Sequence, residues 1–151
     1  MNSSEEDIRN SLKSLNRTVE ELIYFFSQDF DFTKRINTHW NAKDILGHLV
    51  FWQESFERNL RCVATGVEPK VLKGKLSEVN KQSVDSTRDV DIDMLINRLK
   101  KAQTSIQKNI LNTSVFLIPY KKGSRDYSRL EHLKIVDAHI KKHLKQLKKY
   151  I

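Results

Sequence analysis

The sequence predicts an all-α protein built as a four-helix bundle, and three observations carry the prediction. Four stretches repeat apolar side chains at spacings of three and four, the mark of one buried helical face. No stretch shows the strict apolar–polar alternation of a half-buried strand. The chain has only 4 Gly and 2 Pro among its 151 residues, which leaves few places for tight turns.

The first helix spans residues 4 to 28, with Ile8, Leu12, Leu15, Val19, Leu22 and Phe26 along one face. Ser3 or Ser4 caps it, and Glu5 and Glu6 sit where the helix dipole favours negative charge. "SQDFDFTKRINTHW" breaks the pattern and reads as a loop. The second helix starts after Asn41, a good N-cap with Asp44 three residues on. Its apolar positions are Ile45, Leu49, Trp52, Phe56, Leu60 and Val63.

"TGVEPKVLKGK" holds two glycines and a proline and is the main break in the chain. A short helix over 76 to 86 follows it. The third long helix runs from Asp91 through Leu95, Leu99, Ala102, Ile106 and Ile110. Pro119 and Gly123 exclude helix from "NTSVFLIPYKKGSRDY". Ser128 and Glu131 form a capping box that opens the fourth helix, which buries Leu133, Val136, Ile140, Leu144 and Leu147. The long connection between the second and third long helices permits a crossover topology.

At this length one domain over residues 1–151 is expected, able to bury roughly two-thirds of its unfolded surface without staples. No apolar run reaches the roughly 18 residues of a membrane span, and the start "MNSSEEDIRN" is polar and acidic, so a cytoplasmic protein is expected. The single cysteine, Cys62, excludes an internal disulfide and reads as a small buried residue near a helix end. From Lys121 onward there are 10 Lys and Arg against 3 Asp and Glu, nearly all of the chain's +8 net charge. Such a patch could attract nucleic acid, phosphorylated metabolites or an anionic surface; a solvated lysine face that keeps the helix soluble accounts for it better, and nucleic acid is not the expected partner.

At 100° per residue His132, His139 and His143 fall within about 40° of each other, along one edge of the fourth helix's apolar stripe. Lys134, Lys141, Lys142, Lys145, Lys148 and Lys149 are read as its opposite side. His48 lies on the border of the second helix's apolar face, one turn before Trp52. Three neutral imidazoles from two helices could bind Zn²⁺ or Ni²⁺ and leave a position open. Spacing alone favours histidines at the rim or in the structure that only satisfy hydrogen bonds. Asp137, about 160° from His139, reads as a surface or inter-helix partner. Glu54 is angled off the stripe, and Trp40, Phe51, Trp52 and Phe56 could line a pocket or fill the core. Nucleotide-fold and paired-cysteine motifs are absent.

"HWNAKDILGHLVFWQESFERNL", residues 39 to 60, resembles the signature of the DinB-like superfamily, and "SRLEHLKIVDAHIKKHLKQLKKY", residues 128 to 150, resembles its last helix. "VLKGKLSEVNKQSV" and "LIPYKKGSRDYSRLEHL" look most like the branch grouped with the DfsB and ClbS (colibactin self-protection) proteins. The resemblance implies a four-helix bundle of DinB type, commonly a homodimer, with a divalent ion, Zn or Ni, on His48, His139 and His143. It implies thiol transfer, isomerisation or hydrolytic protection against an electrophilic small molecule. A metal-free pocket acting through Trp52, Tyr120, Tyr127 and histidines including His132, or a protein that only binds or sequesters its ligand, is the alternative.

Overall fold

The computed structural model describes residues 4 to 150. Its long helices are α1 (Glu5–Ser27), α2 (Ala42–Thr65), α4 (Ile92–Ile110) and α5 (Arg129–Tyr150), with the shorter α3 (Leu76–Asp85) between α2 and α4. Ser4 caps α1 through the Asp7 amide, and Ser3 lies outside the described residues. Asn41 and Asp44 form a reciprocal capping box on α2, Asp91 caps α4, and Ser128 and Glu131 exchange bonds at the start of α5. Each long helix therefore begins where a polar side chain can accept from an unpaired amide, whereas α3 starts after Lys75 without a side-chain cap. Gly66 ends α2 in the left-handed region at φ 75°, and its amide and that of Val67 reach back to the Cys62 and Val63 carbonyls.

Side-chain pairs give the helix directions. Glu5–Arg129, Ser14–Asp137 and Glu21–Lys148 climb together, so α1 and α5 are parallel. Glu54–Arg98 and Glu57–Ser105 make α2 and α4 parallel neighbours, whereas Phe56 against His132 and His48 against His139 make α2 and α5 antiparallel. The topology is up-down-down-up, and the connection between α2 and α4 returns along the bundle as the crossover that the sequence permits. That connection carries α3, which packs on α2.

The apolar faces meet in one core, with Leu15, Leu22, Ile45, Leu49, Leu60, Leu95, Leu99, Ile106, Leu133 and Leu147 among its buried residues. A polar chain crosses it: Gln53 Nε2 donates to Gln103 Oε1 at 2.8 Å, and Gln103 Nε2 donates to Asn16 Oδ1 at 2.7 Å. Arg129, 8% exposed, donates to the Ile110 and Val115 carbonyls and pairs with Glu5, tying the start of α5 to α1 and to the end of α4.

Three details depart from the sequence reading. Leu117–Ile118 (β1) and Tyr127–Ser128 (β2) form a two-residue antiparallel ladder, too short to leave an alternating pattern. Cys62 is half-buried, because it lies on the last turn of α2 beyond the closed core. Lys142 is exposed like the other lysines of α5, but it also borders the cavity described below. No helix among the described residues is long and apolar enough to cross a membrane.

Candidate metal centre and ligand pocket

His48 on α2 and His139 and His143 on α5 converge, each offering a ring nitrogen within 4.8 Å of the others. Antiparallel packing sets the level at which α2 and α5 meet, and the four-residue spacing stacks the α5 pair on one face. Gly47 is the missing element of this design. A Cβ there would lie 2.0 Å from Thr87 Oγ1 and 2.8 Å from Thr87 Cβ, so only glycine lets the end of α3 press against α2 next to His48.

That approach brings Ser83 of α3 to His48 Nδ1 at 2.9 Å. The Ser83 hydroxyl donates to the Asn80 carbonyl at 2.6 Å, so its oxygen accepts from His48 Nδ1–H. Gln146 Oε1 accepts from His143 Nδ1–H at 3.0 Å. The network thus assigns both rings the tautomer with a lone pair on Nε2, the arrangement that carboxamide or hydroxyl partners impose on metal-binding histidines. His48 Nε2 lies 3.0 Å from His139 Nε2, sharing one proton donated by His139.

Burial keeps these rings neutral. His48, 2% exposed, has its pKa pushed down to about 3, first by burial and then by the two neighbouring imidazoles and Lys142. His139 is pushed down to about 4 by burial, His143 and Lys142. His143 is lowered by burial, against the opposing pull of its bond to Gln146. Three uncharged nitrogen donors at neutral pH fit a borderline-soft divalent ion.

The triad forms one wall of a cavity of about 360 Å³ between α2, α3, α5 and the segment after β1. Trp52 stacks on Tyr120 with ring centroids 5.3 Å apart, and its Nε1–H donates to Asn80 Oδ1 at 3.0 Å. His132 stacks on Phe56 at 5.0 Å and donates from Nε2 to the Ile118 carbonyl at 2.8 Å, which fixes the residues leading to Tyr120. Burial pushes the Tyr120 hydroxyl up and the His132 ring down, so both are neutral at pH 7.

Of the residues singled out in the sequence, His48, Trp52, Tyr120, His132, His139 and His143 line this cavity, as do Trp40 and Phe56. Tyr127 and Phe51 do not. Tyr127 stands behind, edge-on to Tyr120 and His132 and under the Arg125 guanidinium, because β2 pairs one step back from the cavity wall. His132 is separated from the triad by two turns of α5, a displacement along the axis that angles on a helical projection do not register. Asp137 points to α1, where it accepts from Ser14 at 2.6 Å, and Glu54 pairs with Arg98. Gly47, Ser83, Gln146, Asn80 and Lys142 escape sequence reading. Lys142 alone had a signal, since it lies only about 60° from His139 on the helix. Asn59, 1% exposed, donates to the Pro119 carbonyl while its Oδ1 has no partner among the described residues.

No family model matches the sequence, and no curated protein matches it. Among solved structures, mycothiol-dependent maleylpyruvate isomerase superposes with a TM-score of 0.74 at 12% identity, over 97% of this chain and 63% of that one. A member assigned to the DinB family, from Exiguobacterium sibiricum 255-15, superposes with a TM-score of 0.57 at 15% identity, over 99% of this chain and 90% of that one. The fold is DinB-like. The chain spans less than two-thirds of the isomerase's length, and at these identities the likeness is one of fold. Within this DinB-like frame, the histidine cluster stands at the seam between α2 and α5.

Proposed function

We propose that the protein is a cytoplasmic, homodimeric DinB-like enzyme whose His48, His139 and His143 hold one divalent ion, Zn²⁺ or Ni²⁺, beside a pocket for an electrophilic small molecule. The reaction is hydrolysis or thiol transfer. The observation that carries this reading is the convergence of three imidazole nitrogens within 4.8 Å at the wall of an aromatic cavity. Their donor set suits the ion, since two rings already commit Nδ1–H to oxygen partners and turn Nε2 inward. When bound, such an ion acidifies water or a thiol and polarises an electrophile.

The chain's own groups supply the rest. Trp52 and Tyr120 form a flat wall that positions an apolar body and excludes water. His132 keeps its proton on Nε2 against the Ile118 carbonyl, which leaves Nδ1 as a base, and the Tyr120 hydroxyl stays protonated as a donor. Thiol chemistry is supported by the mycothiol dependence named for the isomerase of the same fold. A self-protective or detoxifying role is supported by the likeness of residues 71–84 and 117–133 to the DfsB and ClbS branch.

To test this, the Zn²⁺- or Ni²⁺-loaded protein is mixed with a low-molecular-weight thiol and chlorodinitrobenzene, and separately with an activated aryl ester. The wild type is expected to exceed His139→Ala in at least one assay, and equal rates in both would overturn the reading. A metal-free binding or sequestering protein is the second reading. It is favoured by the 3.0 Å contact between His48 Nε2 and His139 Nε2, a hydrogen bond that forms without an ion.

A further inference from the structure

The cavity beside the triad is one-sided in charge. Among the described residues no Asp or Glu lines it, and Lys142 is its one lining lysine or arginine. Two other lysines of α5 pair with carboxylates, Lys141 with Asp137 and Lys148 with Glu21, while Lys134, Lys145 and Lys149 make no ion pair among the described residues and do not border the cavity. Lys142 makes no hydrogen bond or ion pair among the described residues. Its ammonium adds positive potential around three imidazoles with no acid to offset it. A bound divalent ion on three neutral ligands would deepen that imbalance, because none of its charge is cancelled by the donors.

Asn80 adds to the same preference. Its Oδ1 is taken up by Trp52 Nε1–H, which leaves the Nδ2 hydrogens as donors at the cavity wall with no protein partner among the described residues. Beside these donors lie the stacked Trp52 and Tyr120 rings and Phe56. A pocket of about 360 Å³ with an apolar wall and a small set of convergent donors suits a fragment-sized ligand with one charged end.

We propose that the pocket takes an anionic small molecule, whose carboxylate or other oxyanion pairs with Lys142 while its apolar body lies against Trp52, Tyr120 and Phe56. This names the substrate class for the enzyme proposed above and rests on that reading only for the reaction. The anion preference belongs to the protein with or without an ion. Lys142 is a specificity-determining residue here and takes no part in proton transfer.

The chain's two tryptophans, Trp40 and Trp52, both line the cavity, so intrinsic fluorescence reports its occupancy. The test titrates chelator-treated protein with phenylacetate and with its neutral amide, phenylacetamide. Wild type is expected to bind the acid about fivefold more tightly, the size of a partly exposed ion pair. Lys142→Gln should abolish the difference, and Lys142→Arg and Lys145→Gln should keep it. The proposal is overturned by equal affinities in the wild type, by a preference that survives Lys142→Gln, or by the absence of saturable quenching with phenylacetate. Metal content measured on the same untreated preparations separates the two readings. An anion preference without metal uptake removes the metalloenzyme and leaves this proposal standing, and metal uptake without a preference does the reverse.

Discussion

Lowering the pH from 7 to 5 should destabilise the metal-free protein through the histidine cluster. A histidine with a pKa near 6.5 in the unfolded chain takes up a proton across this range. In the folded protein His48 and His139 stay neutral until about pH 3 and 4. The unfolded state then binds more protons, so stability falls as the pH falls through 6.5 and levels off only near the folded values. At pH 5 the loss is about 2 kcal/mol for each of the two rings, or about 4 kcal/mol together. That is a large share of the roughly 5–15 kcal/mol of a typical domain. The carboxylates lowered by ion pairs, Glu5, Asp85 and Glu131, contribute with the same sign but at lower pH, their stabilisation present above about pH 4.5 and lost below it, outside this window. Urea midpoints at pH 7 and pH 5, with chelator present, should therefore drop steeply for the wild type. They should drop far less for the double variant His48→Gln, His139→Gln. Parallel losses in the two proteins would refute the assignment of neutral, buried imidazoles.

Other consequences follow from the same contacts. Gly47→Ala forces a methyl onto Thr87, whose hydroxyl is held by the Ser83 carbonyl at 2.7 Å. The overpacking penalty of about 1–3 kcal/mol equals or exceeds the helix-propensity gain of about 1 kcal/mol, so stability should fall by no more than about 2 kcal/mol and the fold should hold. Displacement of Ser83 from His48 should nonetheless weaken metal binding about tenfold by isothermal titration. Gln146→Leu removes the acceptor at His143 Nδ1 and should cost about 10- to 100-fold in the same measurement with no change of fold by circular dichroism. Arg129→Met leaves the Ile110 and Val115 carbonyls and Glu5 without their donor and should lose about 3–5 kcal/mol in urea unfolding. Glu5→Gln, on the more open side of that pair, should lose much less.

Most of the bundle was legible because its signals are local. Asn41 with Asp44, Asp91, and Ser128 with Glu131 announce helix starts through hydrogen bonds that close within three residues. The apolar spacing from Ile8 to Phe26 and from Leu133 to Leu147 marks buried faces without reference to any partner. The histidine triad was legible in part. The spacing of His139 and His143 shows a shared face, but the depth at which His48 meets them depends on how α2 and α5 slide past one another, and the resemblance to DinB-like sequences supplied that register. What stayed hidden depends on contacts between distant elements. Gly47 reads as a weak point in a helix until Thr87 stands against it. Ser83 and Gln146 are ordinary surface residue types, and only the approach of α3 or the turn of α5 gives them a histidine. The Gln53–Gln103–Asn16 chain looks like a break in the apolar pattern of three helices until they are assembled. Lys142 was grouped with its solvated neighbours because lysine identity outweighed a 60° angle.

The central claim is that His48, His139 and His143 together hold a divalent ion, and elemental analysis of untagged protein tests it most directly. About one Zn or Ni per chain is expected in the wild type, retained through gel filtration and lost in His48→Ala, His139→Ala, His143→Ala. A wild type that takes up no ion after incubation with excess Zn²⁺ or Ni²⁺, or a triple variant that keeps it, would contradict the claim.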